Sequence, residues 1–159
     1  NNDNDKESGM FYYTVLGTLL LASTVLLHAV GTSLWLQYVG GRMSRTERLH
    51  RAINSFPILL STAVVLVLLH SAQITIWALA YLFMLPPTIL GTFEEATYFS
   101  FVTFTTLGYG DITLSGEWRI LSGIQALNGI LLVGWSTAML FAIVQRIWQD
   151  MSQHSDQPS

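Results

Sequence analysis

Charge is what this sequence has least of. Asp, Glu, Lys and Arg make up only 11% of its 159 residues, against about 25% in an ordinary soluble domain. The formal net charge is −3, which excludes the strongly basic surface of a nucleic-acid-binding protein. Cysteine is absent, so disulfide frameworks and thiol chemistry are excluded as well. Hydrophobic residues account for 51%, and this surplus of apolar side chains needs an apolar surrounding.

The missing charges define three long apolar stretches. No Asp, Glu, Lys or Arg occurs within residues 11–41, 52–93 and 120–145. Because about 20 apolar residues cross a bilayer as a helix, each stretch can hold one crossing. We therefore predict an all-α membrane protein with transmembrane helices over residues 11–38, 56–85 and 118–148. The acidic flank, residues 1–10, is predicted to be an external tail rather than part of a signal peptide.

The orientation of these helices follows from the arginines. Four of the seven basic residues fall in the loop 39–55, namely Arg42, Arg45, Arg48 and Arg51. Loops rich in Lys and Arg stay on the cytoplasmic side, which places the N-terminus outside and residues 149–159 in a cytoplasmic tail. We expect a multi-pass protein of the cell membrane, either a plasma membrane or a bacterial inner membrane.

The arginines recur at every third position, which is also the spacing of a voltage-sensor helix. Only two of the six residues between them, Met43 and Leu49, are apolar. This pattern favours a short interfacial helix whose arginines contact anionic lipid. A lipid- or voltage-responsive role in gating and a true voltage sensor are the alternatives.

The external stretch between the second and third apolar segments begins with a helix-start signal. Thr92 is followed three residues later by Glu95, the pattern of a capping box. It predicts a short, almost uncharged helix over 93–105, too short to cross the membrane. Such a segment must enter and return on the same side. Irregular backbone at that depth survives only where protein buries it or where it lines a water-filled path.

The residues that follow this helix, 105–111, read Thr-Thr-Leu-Gly-Tyr-Gly-Asp. This segment resembles the selectivity filter of tetrameric potassium channels, usually written T-V-G-Y-G-D. In such a filter, backbone carbonyls replace the water shell of a cation, and Gly108 and Gly110 allow backbone angles that side chains forbid. The resemblance implies a filter over 106–110 formed by Thr106, Leu107, Gly108, Tyr109 and Gly110. The first four of these residues would bind K⁺.

The resemblance covers residues 56–148, a pore module of outer helix (56–85), pore helix (93–105), filter (106–110) and inner helix (118–148). It implies support of the filter by Tyr98, Thr105 and Asp111. Val102 stands where some bacterial channels carry a glutamate, so we expect a hydrogen bond between Tyr98 and Asp111 instead. Since the chain carries one filter sequence, the resemblance also implies a homotetramer. It implies neither enzymatic activity nor a cofactor beyond the permeant K⁺.

The inner helix offers two further predictions. Gly129 and Gly134 are candidates for a hinge, with close helix packing as the alternative. The residues expected to line an inner cavity are Ile130, Val133, Thr137, Ala138 and Phe141. Two histidines, His28 and His70, lie within apolar stretches, either as neutral rings bonded to a neighbouring helix or as groups that titrate where water reaches them.

Taken together, these features predict a potassium-selective channel that conducts passively. A weakly selective cation channel of the same architecture is one alternative. A non-conducting membrane sensor or accessory subunit is the other.

Overall fold

A computed structural model describes the backbone of residues 2–43 and 51–155, and the side chains of 7–41, 56–149 and 152. The elements in chain order are α1 (Asn2–Met43), α2 (Arg51–Met84), α3 (Phe93–Phe104), a 3₁₀ turn (Gly116–Trp118) and α4 (Arg119–Ser155). These described residues contain no β-strand. The described part of the chain therefore consists of helices joined by turns and short loops.

Three segments are long and apolar enough to cross a membrane: Glu7–Gly41, Phe56–Met84 and Gly116–Gln149. They lie in α1, in α2, and in α4 with the 3₁₀ turn before it. The predicted all-α protein with three spanning helices is thereby confirmed. α3 is a helix of 12 residues, too short to span.

The spanning helices extend beyond the lengths expected from charge. α1 begins at Asn2 and ends at Met43, so it takes up nearly all of the segment 1–10 that we expected to be a tail. It also takes up the start of the arginine loop, and α2 begins at Arg51. No proline interrupts these flanks, and extending a formed helix by one residue is far easier than starting one. The remainder of the loop, 44–50, and the four arginine side chains lie outside the described residues.

The capping box expected at the start of α3 is confirmed. The Thr92 hydroxyl accepts a hydrogen bond from the Glu95 backbone N–H at 3.1 Å, and the Glu95 carboxylate accepts from the Thr92 N–H at 3.2 Å. The same carboxylate accepts from the Gly91 N–H at 2.9 Å. These bonds fix the residue at which α3 begins.

α3 is packed between α2 and α4 through a buried polar cluster. The Tyr81 hydroxyl of α2 donates to Gln125 Oε1 of α4 at 2.7 Å. Gln125 Nε2 donates to the carbonyl and hydroxyl oxygens of Ser100 in α3, at 3.1 and 2.6 Å. The Ser100 hydroxyl donates to the Ile74 carbonyl at 2.8 Å. One glutamine thus joins the two spanning helices to the short one.

Glycines let α1 approach the other spanning helices closely. At Gly17 an added methyl group would overlap Ile124 of α4, and at Gly31 it would overlap Leu69 of α2. Small residues at helix contacts in membranes allow this kind of packing. α1 therefore lies against both neighbouring helices.

Replacing Gln125 tests whether this cluster holds α3. Gln125→Leu keeps the approximate side-chain size but removes every bond that the amide makes. Interhelical hydrogen bonds in membranes contribute about 0.6 kcal/mol each on average, so we expect a loss of about 1–2 kcal/mol, visible as a lower unfolding temperature in mild detergent. Ser122→Ala is the control because the Ser122 hydroxyl bonds only its own helix, at Arg119 O. Equal unfolding temperatures for the two variants would contradict the assignment.

Candidate ion-conducting site

The chain turns back on itself directly after α3. The Thr106 N–H donates to Thr103 O at 3.0 Å, and the Leu107 and Gly108 N–H groups both reach Val102 O, at 3.0 and 3.4 Å. These bonds use the free carbonyls at the end of α3. None of them uses a carbonyl of residues 106–110, so those oxygens stay available for another partner.

The backbone of this segment alternates in handedness. φ is +58° at Thr106, +57° at Gly108 and +80° at Gly110, whereas Leu107 and Tyr109 between them do not have positive φ. Alternating left- and right-handed residues turn successive peptide groups to the same side. The glycines stand at two of the three left-handed positions, where a Cβ would cost about 1–2 kcal/mol. Thr106 bears that strain because its own backbone N–H is held by α3.

The segment is open to its surroundings in a single chain. All residues from 105 to 111 are exposed, with Leu107 at 53% and Tyr109 at 67%. The C-terminal end of α3 directly precedes it. The C-terminal end of a helix carries partial negative charge. The end of α3 therefore favours a cation beside Thr106.

The structure brings Tyr98 and Asp111 together. The Tyr98 hydroxyl donates to Asp111 Oδ2 at 2.7 Å. This hydrogen bond raises the pKa of Tyr98 and lowers that of Asp111. A carboxylate with a lowered pKa keeps its bond down to that pKa and loses it as the pH falls further, while the raised tyrosine pKa keeps the donor proton at higher pH. The bond therefore persists across the neutral range.

Thr105, the third predicted support residue, is placed differently. Its hydroxyl donates back to the Phe101 carbonyl within α3 at 2.8 Å, so it completes the end of that helix rather than reaching the filter segment. Val102 beside it is buried, and it offers no carboxylate to the filter. Of the predicted support residues, Tyr98 and Asp111 are the pair joined by a side-chain bond.

The inner-helix glycines have different surroundings. Gly129 lies against the carbonyl oxygen of Phe104, so closely that an added methyl group would collide with it. This contact favours close packing over a hinge at Gly129. Gly134 has open space around it in the single chain. Phe104 carried no sequence signal, because its importance comes from the backbone that touches it.

The residues expected to line a cavity share an exposed face of α4. They are Ile130, Val133, Thr137, Ala138 and Phe141. The opposite face of α4 is buried against the other helices of the same chain, through Leu121, Asn128 and Leu132. The predicted lining residues are therefore not buried in their own chain, although Ile130 and Ala138 also line a groove that Leu36 of α1 borders.

The sequence model of the family described as "Ion channel" matches residues 64–146. The match covers more than half of the chain and includes most of α2, all of α3, the filter segment and most of α4. The chain belongs to this ion channel family, and its expected place in the potassium-channel pore-domain superfamily is confirmed. It is a multi-pass membrane protein, and membership supports ion channel activity rather than an enzymatic one. Comparison with curated proteins and with solved structures gave no match.

The contact at Gly129 generates a stability prediction. Gly129→Ala forces α4 away from the Phe104 carbonyl, and overpacking of this kind costs about 1–3 kcal/mol. We expect a lower unfolding temperature in detergent. Gly123→Ala is the matched control because nothing lies within 4 Å of the added methyl group, and in a helix alanine is otherwise preferred over glycine. A Gly129→Ala variant as stable as Gly123→Ala would refute the packing assignment.

Proposed function

We propose that this protein is a potassium-selective channel. K⁺ passes through the filter 106–110 and is bound by backbone carbonyls of Thr106, Leu107, Gly108 and Tyr109. The observation that carries the proposal is the alternating backbone of this segment, with positive φ at 106, 108 and 110. It supports a row of carbonyl oxygens on one side, the arrangement that replaces the water shell of a cation.

The conducting unit is a homotetramer. One chain supplies one filter strand, and a ring of carbonyls needs several strands around an axis. The exposure of Leu107 and Tyr109 and the exposed face of α4 support this assembly, because further copies would cover the two residues and enclose the α4 faces around a common cavity. Hydrocarbon can cover the α4 face, but an irregular backbone at membrane depth needs protein or water around it.

The orientation and lipid contacts complete the proposal. Arg42, Arg45, Arg48 and Arg51 lie on the cytoplasmic side and contact anionic lipid. The N-terminus and the filter mouth at Asp111 then face the outside of the cell membrane. Asp111 and the C-terminal end of α3 place negative charge near both ends of the filter, which attracts cations.

The reversal potential tests the proposal. In purified protein in a planar bilayer with K⁺ on one side and Na⁺ on the other, we expect current that reverses far from zero, towards the K⁺ equilibrium potential. For a single K⁺ gradient the shift should approach about 59 mV per tenfold, as for any single elementary charge. A reversal potential near zero between K⁺ and Na⁺ indicates a weakly selective channel, and the absence of current indicates a non-conducting subunit.

Two glycine variants separate the filter from general backbone strain. Gly110 (φ +80°) and Gly116 (φ +64°) are both left-handed, so alanine strains each of them by about 1–2 kcal/mol. Only Gly110 lies in the filter. Gly110→Ala should abolish K⁺ selectivity or current, whereas Gly116→Ala should retain both. Loss of selectivity in both variants, or in neither, would count against the filter assignment.

The Tyr98–Asp111 bond predicts an effect on gating. Tyr98→Phe removes the hydroxyl and keeps the ring, so assembly should be unchanged. A neutral hydrogen bond contributes about 1 kcal/mol and one to a charged group more, and four equivalent bonds around one filter act together. We expect a change of at least tenfold in open probability in single-channel records. Tyr12→Phe, at the start of the first span, serves as the control. Unaltered gating in Tyr98→Phe would show that the bond does not support the filter.

A further inference from the structure

Four side chains from three helices form a closed ring of hydrogen bonds. Gln73 of α2 lies between the two histidines, with its Nε2 3.0 Å from His28 Nδ1 and its Oε1 3.2 Å from His70 Nδ1. On the opposite side, Ser136 Oγ of α4 is 3.3 Å from His28 Nε2 and 3.0 Å from His70 Nε2. The two imidazole rings are stacked with their centroids 5.3 Å apart. α1 contributes His28, so the ring joins α1 to both other spanning helices.

The ring fixes where the protons sit. Gln73 Nε2 also reaches the Thr24 carbonyl at 3.5 Å, so its amide donates towards His28. His28 must then accept at Nδ1 and donate from Nε2 to Ser136, which donates to His70 Nε2, and His70 donates from Nδ1 to Gln73 Oε1. The assignment follows from the hydrogen-bond pattern. The two histidines consequently carry their protons on opposite nitrogens.

An additional proton forces this ring to rearrange. A proton on His28 Nδ1 faces the Gln73 amide donor, and a proton on His70 Nε2 displaces the hydroxyl hydrogen of Ser136, whose oxygen must then accept from both histidines. No Asp, Glu, Lys or Arg occurs within 11–41, 52–93 or 120–145, and the acidic residues of α3 lie in its first turn, at the far end from Phe104. Among the residues whose side chains the structure describes, neither histidine therefore has a carboxylate beside it, and the rings stack on each other. A proton on either ring rearranges the hydrogen bonds and leaves a charge without a counter-ion.

The ring is in contact with the end of α3, directly before the filter segment. The His70 ring packs on the Phe104 ring with centroids 5.7 Å apart. Phe104 is the last residue of α3, its carbonyl is held against Gly129, and Thr106 follows two residues later. Phe104 also packs in one buried cluster with Ile74, Leu132 and Val25. A displacement of His70 or α4 is therefore passed to the start of the filter.

A groove leads towards the ring from the end of α4 that carries Arg146. It has a volume of about 810 Å³, and its lining includes Leu36 of α1 together with Gly134, Trp135, Met139 and Arg146 of α4. The Trp135 ring stands edge-on to His28 with centroids 5.8 Å apart. Trp135 thus both lines the groove and contacts His28.

We propose that the ring of His28, Gln73, His70 and Ser136 is a proton-sensitive switch that couples α1 to the filter. The neutral ring holds Phe104 in place two residues before the filter, and a proton arriving from the Arg146 side rearranges the ring and lowers conduction. The electrical part of this inference rests on the proposed channel function. The proton positions do not.

Nuclear magnetic resonance of ¹⁵N-histidine-labelled protein in lipid bilayers tests the ring without any current. His28→Gln and His70→Gln assign the signals among the four histidines. At about pH 7.5 we expect two neutral rings of opposite tautomer, with the proton on Nε2 of His28 and on Nδ1 of His70, and loss of this pattern as the sample is titrated with acid. Identical tautomers at neutral pH, or a pattern that acid leaves unchanged while the protein stays folded, would overturn the proposal.

Sided acidification in the bilayer tests the coupling. Lowering the pH from about 7.5 to about 4.5 on the Arg146 side should reduce open probability about tenfold, within the usual range of coupling between two sites. The same change on the Asp111 side should have a much smaller effect. His70→Gln should lose most of the response, while His154→Gln, outside the ring, should keep it. A response that survives in His70→Gln, or an equal response from both sides, would refute the coupling.

Two further variants keep the test decisive if His70→Gln fails to assemble. Ser136→Ala opens the ring while leaving both histidines in place, so it should reduce the open probability at neutral pH. Trp135→Ala removes the side chain that both lines the groove and contacts His28, and it should make the response to acid faster. If the parent protein carries no current, the proposed channel function fails. The tautomers and their titration then still test the proposed ring on their own.

Discussion

The structure depends on a stretch of non-helical backbone that is placed between membrane-spanning helices. Hydrocarbon cannot bond the N–H and C=O groups of residues 106–110, and each unsatisfied group costs several kcal/mol there. The chain meets part of this demand internally, because Val102 and Thr103 accept the N–H groups of Thr106, Leu107 and Gly108. The carbonyls of residues 106–110 take no part in these bonds. A row of carbonyl oxygens can bind a permeating cation, with water at either end of the path.

This requirement accounts for the way α3 is held. α3 is too short to be kept in place by lipid, so it depends on side chains from α2 and α4. Gln125 bonds it through Ser100, and Gly129 lets the backbone of α4 reach the carbonyl of Phe104. A polar clamp therefore acts near the middle of α3, and a steric contact acts at its last residue. Together they fix the position of the end of α3, from which the chain continues directly into residues 106–110.

Much of this arrangement could be predicted from local sequence. The absence of charge revealed the three spans, because bilayer thickness sets their length. The Thr92–Glu95 pair gave the start of α3, and the Tyr98–Asp111 hydrogen bond expected from the resemblance is present. These features depend on residues close together in the chain. The ends of α1 and α2 were less predictable, since charged flanks do not stop a helix that has already formed.

The contacts between distant parts of the chain could not be predicted in the same way. Ser136 is 108 residues from His28 and 66 from His70, and a lone serine in an apolar helix more often bonds its own backbone. Gly129 was recognised as a small residue, but only the position of Phe104 distinguishes a packing contact from a hinge. Periodicity identifies which face of a helix is buried. It does not identify which residue of another helix will meet it.

α1 shows what these distant contacts add. The family match begins at residue 64, so α1 lies outside it, yet α1 is bonded to both helices of the pore module. Trp35 Nε1 donates to the Thr62 hydroxyl at 2.9 Å, and Asn128 Nδ2 donates to the Thr24 hydroxyl at 2.8 Å. A helix that only anchored the chain in lipid would need apolar side chains alone, because polar groups at this depth are costly unless partnered. Buried polar bonds to α2 and α4 instead fix the position of α1 against the same helices that hold α3. α1 is therefore packed into the same set of helices that positions α3 and the segment after it.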